Sequence, residues 1–335
     1  MTALGALMAA EIAQAPGVFA RAAAADHTAA LAPLALGDRR AVYTVARGSS
    51  DAAANILSYE IMRETGLPVT SLPPSVFSLG GGVAMAATVA LVISQSGVSE
   101  DLVRSATGAR ARGAAVVAIT NAPGSAVEAA ADVTLPIGAG PELAVPATKS
   151  VIGSIAAGMA LLGAMVPAYA PRARASAAVI GALGDVAHPQ AGALVSALLR
   201  AQHVYVIGRD TGYGAAQEVA LKIKETCAIH AEAYSSSEVL HGPLQLVTKP
   251  LLILILDTGM PLVQDSLDTA EARFRAAGGA VQRLRPADVG AEGLTPAAAA
   301  ALLLTLVYPV ILAVAVALGH DPDRPATLSK VTQTT

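Results

Sequence analysis

Only one cysteine, Cys227, occurs in 335 residues. That excludes an internal disulfide framework and predicts a reducing, cytoplasmic setting. The sequence has no HExxH or CxxC spacing, and its six histidines are scattered, so no metal site is expected. Cys227 then reads as a packed core residue. Neither GxxxxGKS/T nor GxGxxG is present, which argues against an NTP or a dinucleotide, and no cofactor is expected. Charge is also sparse: 14% of residues are charged and the net charge is −3. No basic run alternates with aromatics, so no nucleic-acid partner is expected. The first residues lack a basic segment and Glu11 breaks their apolar run, so no secretory signal is expected either.

Apolar residues are abundant, at 54% of the chain. Val151–Ala170 and Thr295–Gly319 carry no charge over about one bilayer span. Both are rich in alanine and neither has a clear asymmetric Lys/Arg flank. With strands and helices alternating along the rest of the chain, both are expected to be buried helices, and no membrane partner is expected.

Residues 1–30 predict one or two alanine-rich helices. Ala41–Ala46 predicts a strand, followed by Arg47-Gly-Ser-Ser-Asp51 and a helix to about Thr65. Pro68–Leu72, Val89–Ile93, Ala114–Thr120 and Asp132–Ile137 are further strand candidates, with a helix over Ser99–Arg112. Strands alternating with helices predict an α/β fold with a parallel sheet covered on both faces. Pro171–Pro189 is a linker candidate, and after it the pattern restarts. Val42-Tyr-Thr-Val-Ala-Arg47 is echoed by Val204-Tyr-Val-Ile-Gly-Arg209, 162 positions on. Ala90–Ile93 with Gly97 is echoed by Leu252–Ile255 with Gly259 at the same offset. Gly113-Ala-Ala-Val116 is echoed by Gly278-Gly-Ala-Val281. The chain therefore reads as a duplicated α/β domain.

The two copies differ where chemistry would sit. In the first copy the loop after the third strand is Ser94-Gln-Ser-Gly-Val-Ser99. Ser94, Gln95, Ser96 and Ser99, with Ser49 and Ser50 at the neighbouring strand–helix junction, suit a phosphate at the carboxyl ends of parallel strands. Ser99 taken alone reads as a helix cap, and Glu100 and Asp101 must point away for an anion to bind. The equivalent loop of the second copy, Leu256–Pro261, carries an acid and a proline. The second copy instead has Glu218, Lys222 and Glu225 at i, i+4 and i+7 on one helix face. An ordinary surface ion pair is the bland reading. It is weakened by the Ser235–Ser237 and His241-Gly-Pro243 loop that follows. Glu225 can act as a general base, His241 as an acid or base, and Lys222 and Lys330 as electrostatic helpers. A serine-hydrolase reading of Ser235–Ser237 with His241 lacks a nucleophile elbow.

Together, ARGSSD (Ala46–Asp51), SQSGVSED (Ser94–Asp101), Pro141–Ser150, the Leu221–Pro243 stretch and LSKVTQTT (Leu328–Thr335) resemble the double sugar-isomerase (SIS) domain proteins. The likeness runs from about Ala30 onward. It is strongest to SIS-type glucosamine-6-phosphate deaminases, and the chain is also similar to the isomerase half of glutamine–fructose-6-phosphate aminotransferase. The resemblance implies two tandem duplicated SIS domains, each a parallel sheet flanked by helices on both faces. It divides the chain into a helical segment (1–30), a first domain (31–170), a second (190–320) and a tail (321–335) closing the site.

The resemblance also implies residue roles. Ser50, Ser94, Gln95, Ser96 and Ser99 would hold phosphate, and Gly48, Ser49, Val145 and Ala147 would contact the sugar. Glu225 would move a proton between C1 and C2. His241 would open the ring from the neighbouring subunit of a homodimer. Lys222 and Lys330 would assist, and Glu142 would sit near the amino group. Ala147 stands where the aminotransferases have serine, which leaves one sugar contact open. No glutaminase domain precedes Met1-Thr2, so ammonia release from glucosamine 6-phosphate is expected. A fructosamine-6-phosphate deglycase, another sugar-phosphate isomerase and a non-catalytic sugar-phosphate sensor are the alternatives.

Overall fold

The computed structural model describes residues 3–330. The first half contains α1 (Ala6–Ala23), α2 (Thr28–Leu31), β1 (Ala41–Val45), α3 (Gly48–Thr65), β2 (Val69–Ser71), α4 (Ser75–Ser78) and β3 (Thr88–Ser94). It continues through α5 (Glu100–Ala111), β4 (Ala115–Thr120), α6 (Ala126–Ala130), β5 (Val133–Pro136), α7 (Lys149–Met165) and α8 (Ala170–Leu183). The second half contains α9 (Ala191–Arg200), β6 (His203–Gly208), α10 (Thr211–Cys227), β7 (His230–Ser235), β8 (Leu252–Leu256), α11 (Gln264–Ala276), β9 (Ala280–Leu284) and α12 (Pro296–Ala317).

The strands form two all-parallel sheets, ordered β2-β1-β3-β4-β5 and β7-β6-β8-β9. The central strands β3, β4 and β8 are buried at every position, as parallel strands covered on both faces must be. The duplication extends to backbone conformation. Gly97 and Gly259 have φ of +65° and +76°, and Gly113 and Gly278 have +94° and +88°. At Gly97 the requirement is also steric, because a Cβ there would lie 2.2 Å from Ser125 Oγ.

One large core fills the space between the sheets. It joins the inner sheet faces to α1, α3, α7, α10 and α12. Smaller cores cover the outer faces, one under α5 and one under α11. The two equivalent helices α3 and α10 meet in the middle. They approach so closely that a Cβ on Gly214 would sit 2.8 Å from Ile56 N and 2.9 Å from Ala52 O. This crossing carries the acid/base helix of the second copy to the loops of the first.

Two expectations need correction. Val151–Ala170 is not one helix: α7 stops at Met165, and Val166 is extended (φ −129°, ψ 93°) because it precedes Pro167. Most of Pro171–Pro189 is not a linker either. It holds α8, whose buried face (Ala173, Ser176, Ala177, Ile180) packs on α1 and α7, and only the stretch from Gly184 to Gln190 connects the halves. The other apolar run forms α12. It is long and apolar enough to cross a membrane, but 72% of its most apolar stretch is buried, against α10 and α9.

Candidate active site

Sheet order reverses between β1 and β3, so the loops that follow these strands diverge and leave a crevice at their carboxyl ends. A cavity of about 350 Å³ opens there. Arg47–Ser50 wall it on one side and Ser94–Ser96 with Ser99 on another. Lys222 and Glu225 reach in from α10, Val145 and Ala147 from the loop before α7, and Leu328–Lys330 from the tail. Twelve of the residues singled out from sequence therefore share one cavity: Gly48, Ser49, Ser50, Ser94, Gln95, Ser96, Ser99, Val145, Ala147, Lys222, Glu225 and Lys330.

The serine loop turns hydroxyls toward the cavity. Ser94 Oγ accepts the N–H of Gly97 at 3.0 Å, which tightens the turn and leaves its own proton to donate. Ser99 occupies the N-cap position of α5, but its hydroxyl makes no capping bond. The nearby acids are turned away. Glu100 pairs along the helix surface with Arg104. Asp101 is fully buried and bonded to Arg47 Nε at 2.6 Å.

The acid/base group sits on one face of α10, as its spacing predicts. Lys222 is buried between Glu218, at 3.6 Å, and Glu225, with which it makes a short contact. Burial works against the Lys222 charge, yet the two carboxylates outweigh it and its pKa is raised. Burial pushes the Glu218 carboxyl up to about 7, although Lys222 pulls it down. Tyr308 Oη donates to Glu218 at 3.1 Å. Glu225 remains partly exposed to the cavity.

Glu142 and His241 do not line the cavity of their own chain; for His241 this is the placement expected of a residue supplied by a partner subunit. Glu142 is buried behind the wall with both oxygens engaged. It accepts from Thr148 N and Ser150 N at 3.0 Å, from Ser150 Oγ at 2.6 Å and from Lys330 Nζ at 3.2 Å. It holds the loop and the tail lysine, and it is not among the residues that line the cavity. His241 is exposed, one residue past the short turn Glu238–Leu240, and lies outside the cavity of its own chain. Of the tail motif, Val331–Thr335 lie outside the described residues. Among the described residues, no group of three or more His, Cys, Asp or Glu side chains is placed to hold a metal.

The sequence reading missed Arg47 and the Asp323 anchor. Asp323 accepts from Leu7 N and Met8 N at 2.9 and 2.8 Å, capping α1 from the far end of the chain. Its carbonyl accepts Val145 N at 3.0 Å. Arg47 was legible as the residue before Gly48 in the loop. No spacing rule marks Asp323, because the helix amides it caps are more than 300 positions away.

The SIS domain profile matches residues 35–164 and 197–281, one segment per sheet. A glutamine–fructose-6-phosphate aminotransferase from Aeropyrum pernix is 33% identical over 319 residues, covering 85% of this chain and 50% of the relative. One from Symbiobacterium thermophilum is 34% identical, covering 87% and 51%. The chain thus spans about half the length of these curated relatives. A solved protein from Silicibacter pomeroyi, provisionally named a phosphosugar isomerase, superposes with a TM-score of 0.84 at 32% identity, covering 94% of this chain and 99% of that one. Glucosamine-6-phosphate deaminase from Thermotoga maritima shares the fold, with a TM-score of 0.74 at 19% identity, covering 98% and 100%. With a profile match in each half and a solved relative along nearly its full length, the chain belongs to the SIS domain family.

Proposed function

We propose that the protein is a sugar-phosphate isomerase, and that it acts on an amino-sugar phosphate with loss of the amine: glucosamine 6-phosphate and water give fructose 6-phosphate and ammonia. One observation carries this reading. A carboxylate, Glu225, tied to a buried lysine, shares a cavity with a hydroxyl-lined anion loop. The names of the similar proteins, a phosphosugar isomerase and fructose-6-phosphate aminotransferases, support the same substrate class.

We infer the following steps. The phosphoryl group sits on Ser50, Ser94, Gln95, Ser96 and Ser99, at the N-termini of α3 and α5, where N–H groups and helix dipoles favour negative charge. His241, supplied by a partner subunit of a homodimer, opens the ring. Glu225 takes the proton from C2 and returns it to C1, converting the aldose amine to a ketose imine. The cationic Lys222, fixed by two carboxylates, stabilises the charge that develops on the substrate. Water adds to the imine carbon and ammonia leaves. Lys330, held by Glu142, covers the open-chain sugar.

The test is ammonia release from glucosamine 6-phosphate, coupled to glutamate dehydrogenase, with galactosamine 6-phosphate alongside. Ammonia from the first is the expected result. Glu225→Gln should lose roughly 10²- to 10⁴-fold in kcat while still binding fructose 6-phosphate. Normal turnover in that variant would remove Glu225 from the role. Silence on both amino sugars, with fructose 6-phosphate still bound, would leave the anion site standing and reject deamination.

A further inference from the structure

Arg47 ends the loop that follows β1 and occupies the N-cap position of α3. Its Nε and Nη2 both reach Asp101 Oδ2, at 2.6 and 2.5 Å. Asp101 is fully buried in the first turn of α5, and its other oxygen accepts the N–H of Leu102 at 2.9 Å. A buried carboxylate beside an anion cavity would repel the ligand and must be paired. The pair is arranged so that its cation faces the cavity: Arg47 lines it and is half exposed, whereas Asp101 does neither. The same bond also ties the β1–α3 loop to the β3–α5 loop, the two walls that carry the serines.

The second copy shows the alternative use of this position. Arg209, 162 positions on, donates to Ser235 and Ser237, and its sheet end carries the acidic Asp257 rather than serines. Arginine here is therefore directed by its partners. In the first copy the bonds to Asp101 use Nε and one hydrogen of Nη2. The remaining guanidinium N–H groups belong to a rigid fork on a side chain that lines the cavity.

We propose that Arg47 is a further ligand of the substrate's phosphoryl group, oriented and charge-balanced by Asp101. The proposal rests on the assignment of this cavity to a sugar phosphate, but not on which reaction follows. Lysine could not replace it, because one ammonium cannot both hold Asp101 and reach the anion in a fixed plane.

The experiment is calorimetric titration of the whole chain with inorganic phosphate and with fructose 6-phosphate. Arg47→Met should weaken both roughly 10- to 100-fold, the scale of a lost charge-assisted hydrogen bond. Arg47→Lys should recover only part of the loss. Unchanged affinity in Arg47→Met would overturn the assignment. Because removing one partner of a buried pair can unfold a protein, the double variant Arg47→Met/Asp101→Asn is measured too. Affinity that stays weak in the double variant supports direct ligation. Wild-type affinity in it would mean that Arg47 only neutralises Asp101, and would sink the proposal. A wild-type chain that binds both anions yet releases no ammonia rejects deamination and leaves the role of Arg47 intact. A wild-type chain that binds neither anion rejects both.

Discussion

Glu60 and Arg63 of α3 hold the same register as Lys222 and Glu225 of α10, 162 positions on, with the charges reversed. Each is an i,i+3 ion pair with a buried member; Tyr169 bonds Glu60 of the first at 2.9 Å, whereas near the second Tyr308 bonds Glu218, outside the pair. Only the α10 pair faces the cavity. The α3 pair is structural, and Arg63 continues to Asp210 in the second half. Burial pushes Glu60 up to about 7 from its ordinary 4.5, against the opposing pull of Tyr169 and Arg63. Because the folded value is raised, the contribution to stability is fully present below pH 4.5 and is lost as pH rises through about 7. Glu60→Gln should therefore flatten the decline in stability between pH 5 and pH 8. The wild type should lose roughly 3 kcal/mol more than the variant across that window. Urea midpoints at the two pH values measure this, and parallel declines in both chains would contradict it.

Among the elements, the tail and α1 act together. The first helix begins at Gly5 without a side-chain cap of its own, and its orphan N–H groups are satisfied by Asp323. Glu11 of the same helix accepts from Leu143 N and Ala144 N, while the carbonyl of Asp323 accepts from Val145 N. The loop that carries Val145 into the cavity is thus held from both ends of the chain. Asp323→Ala should lower stability by about 1–2 kcal/mol, the usual cost of a lost cap. It should also raise KM more than it lowers kcat, because the segment leading to Lys330, whose carbonyl at position 323 accepts Val145 N, loses its tie to α1, whereas Glu225 sits on α10. A drop in kcat at unchanged KM would argue against that division. The reading of residues 1–30 as alanine-rich helices was correct in type. It could not show that the segment packs into the main core, because alanine periodicity does not identify the surface it will meet.

At the scale of the whole molecule, the first copy supplies the serine-bearing loops and the second supplies Lys222 and Glu225, to which the proposed function assigns anion binding and proton transfer. One chain brings both to a single cavity through the α3–α10 crossing. His241 is left on the outside of that arrangement. The proposed homodimer brings the partner's copy to it, and complementation tests the idea. Glu225→Gln and His241→Ala chains, each inactive alone, should on co-refolding regain about a quarter of wild-type activity, since random pairing gives half heterodimers with one intact site each. No recovery, in mixtures shown to form hybrids, would place His241 outside the chemistry or inside its own chain's site.

The sequence by itself determined the duplication, the parallel α/β class and twelve residues of the cavity. These are properties of local pattern: period-2 and period-3.6 burial, turn glycines, and side-chain chemistry at strand ends. Tertiary structure alone decided that α8 is a packed helix rather than a linker, that Glu142 binds Lys330, that Asp101 is neutralised by Arg47, and that Asp323 caps a helix more than 300 positions away. Each depends on which groups meet across the core, and a buried polar atom takes whatever partner the packing brings within reach.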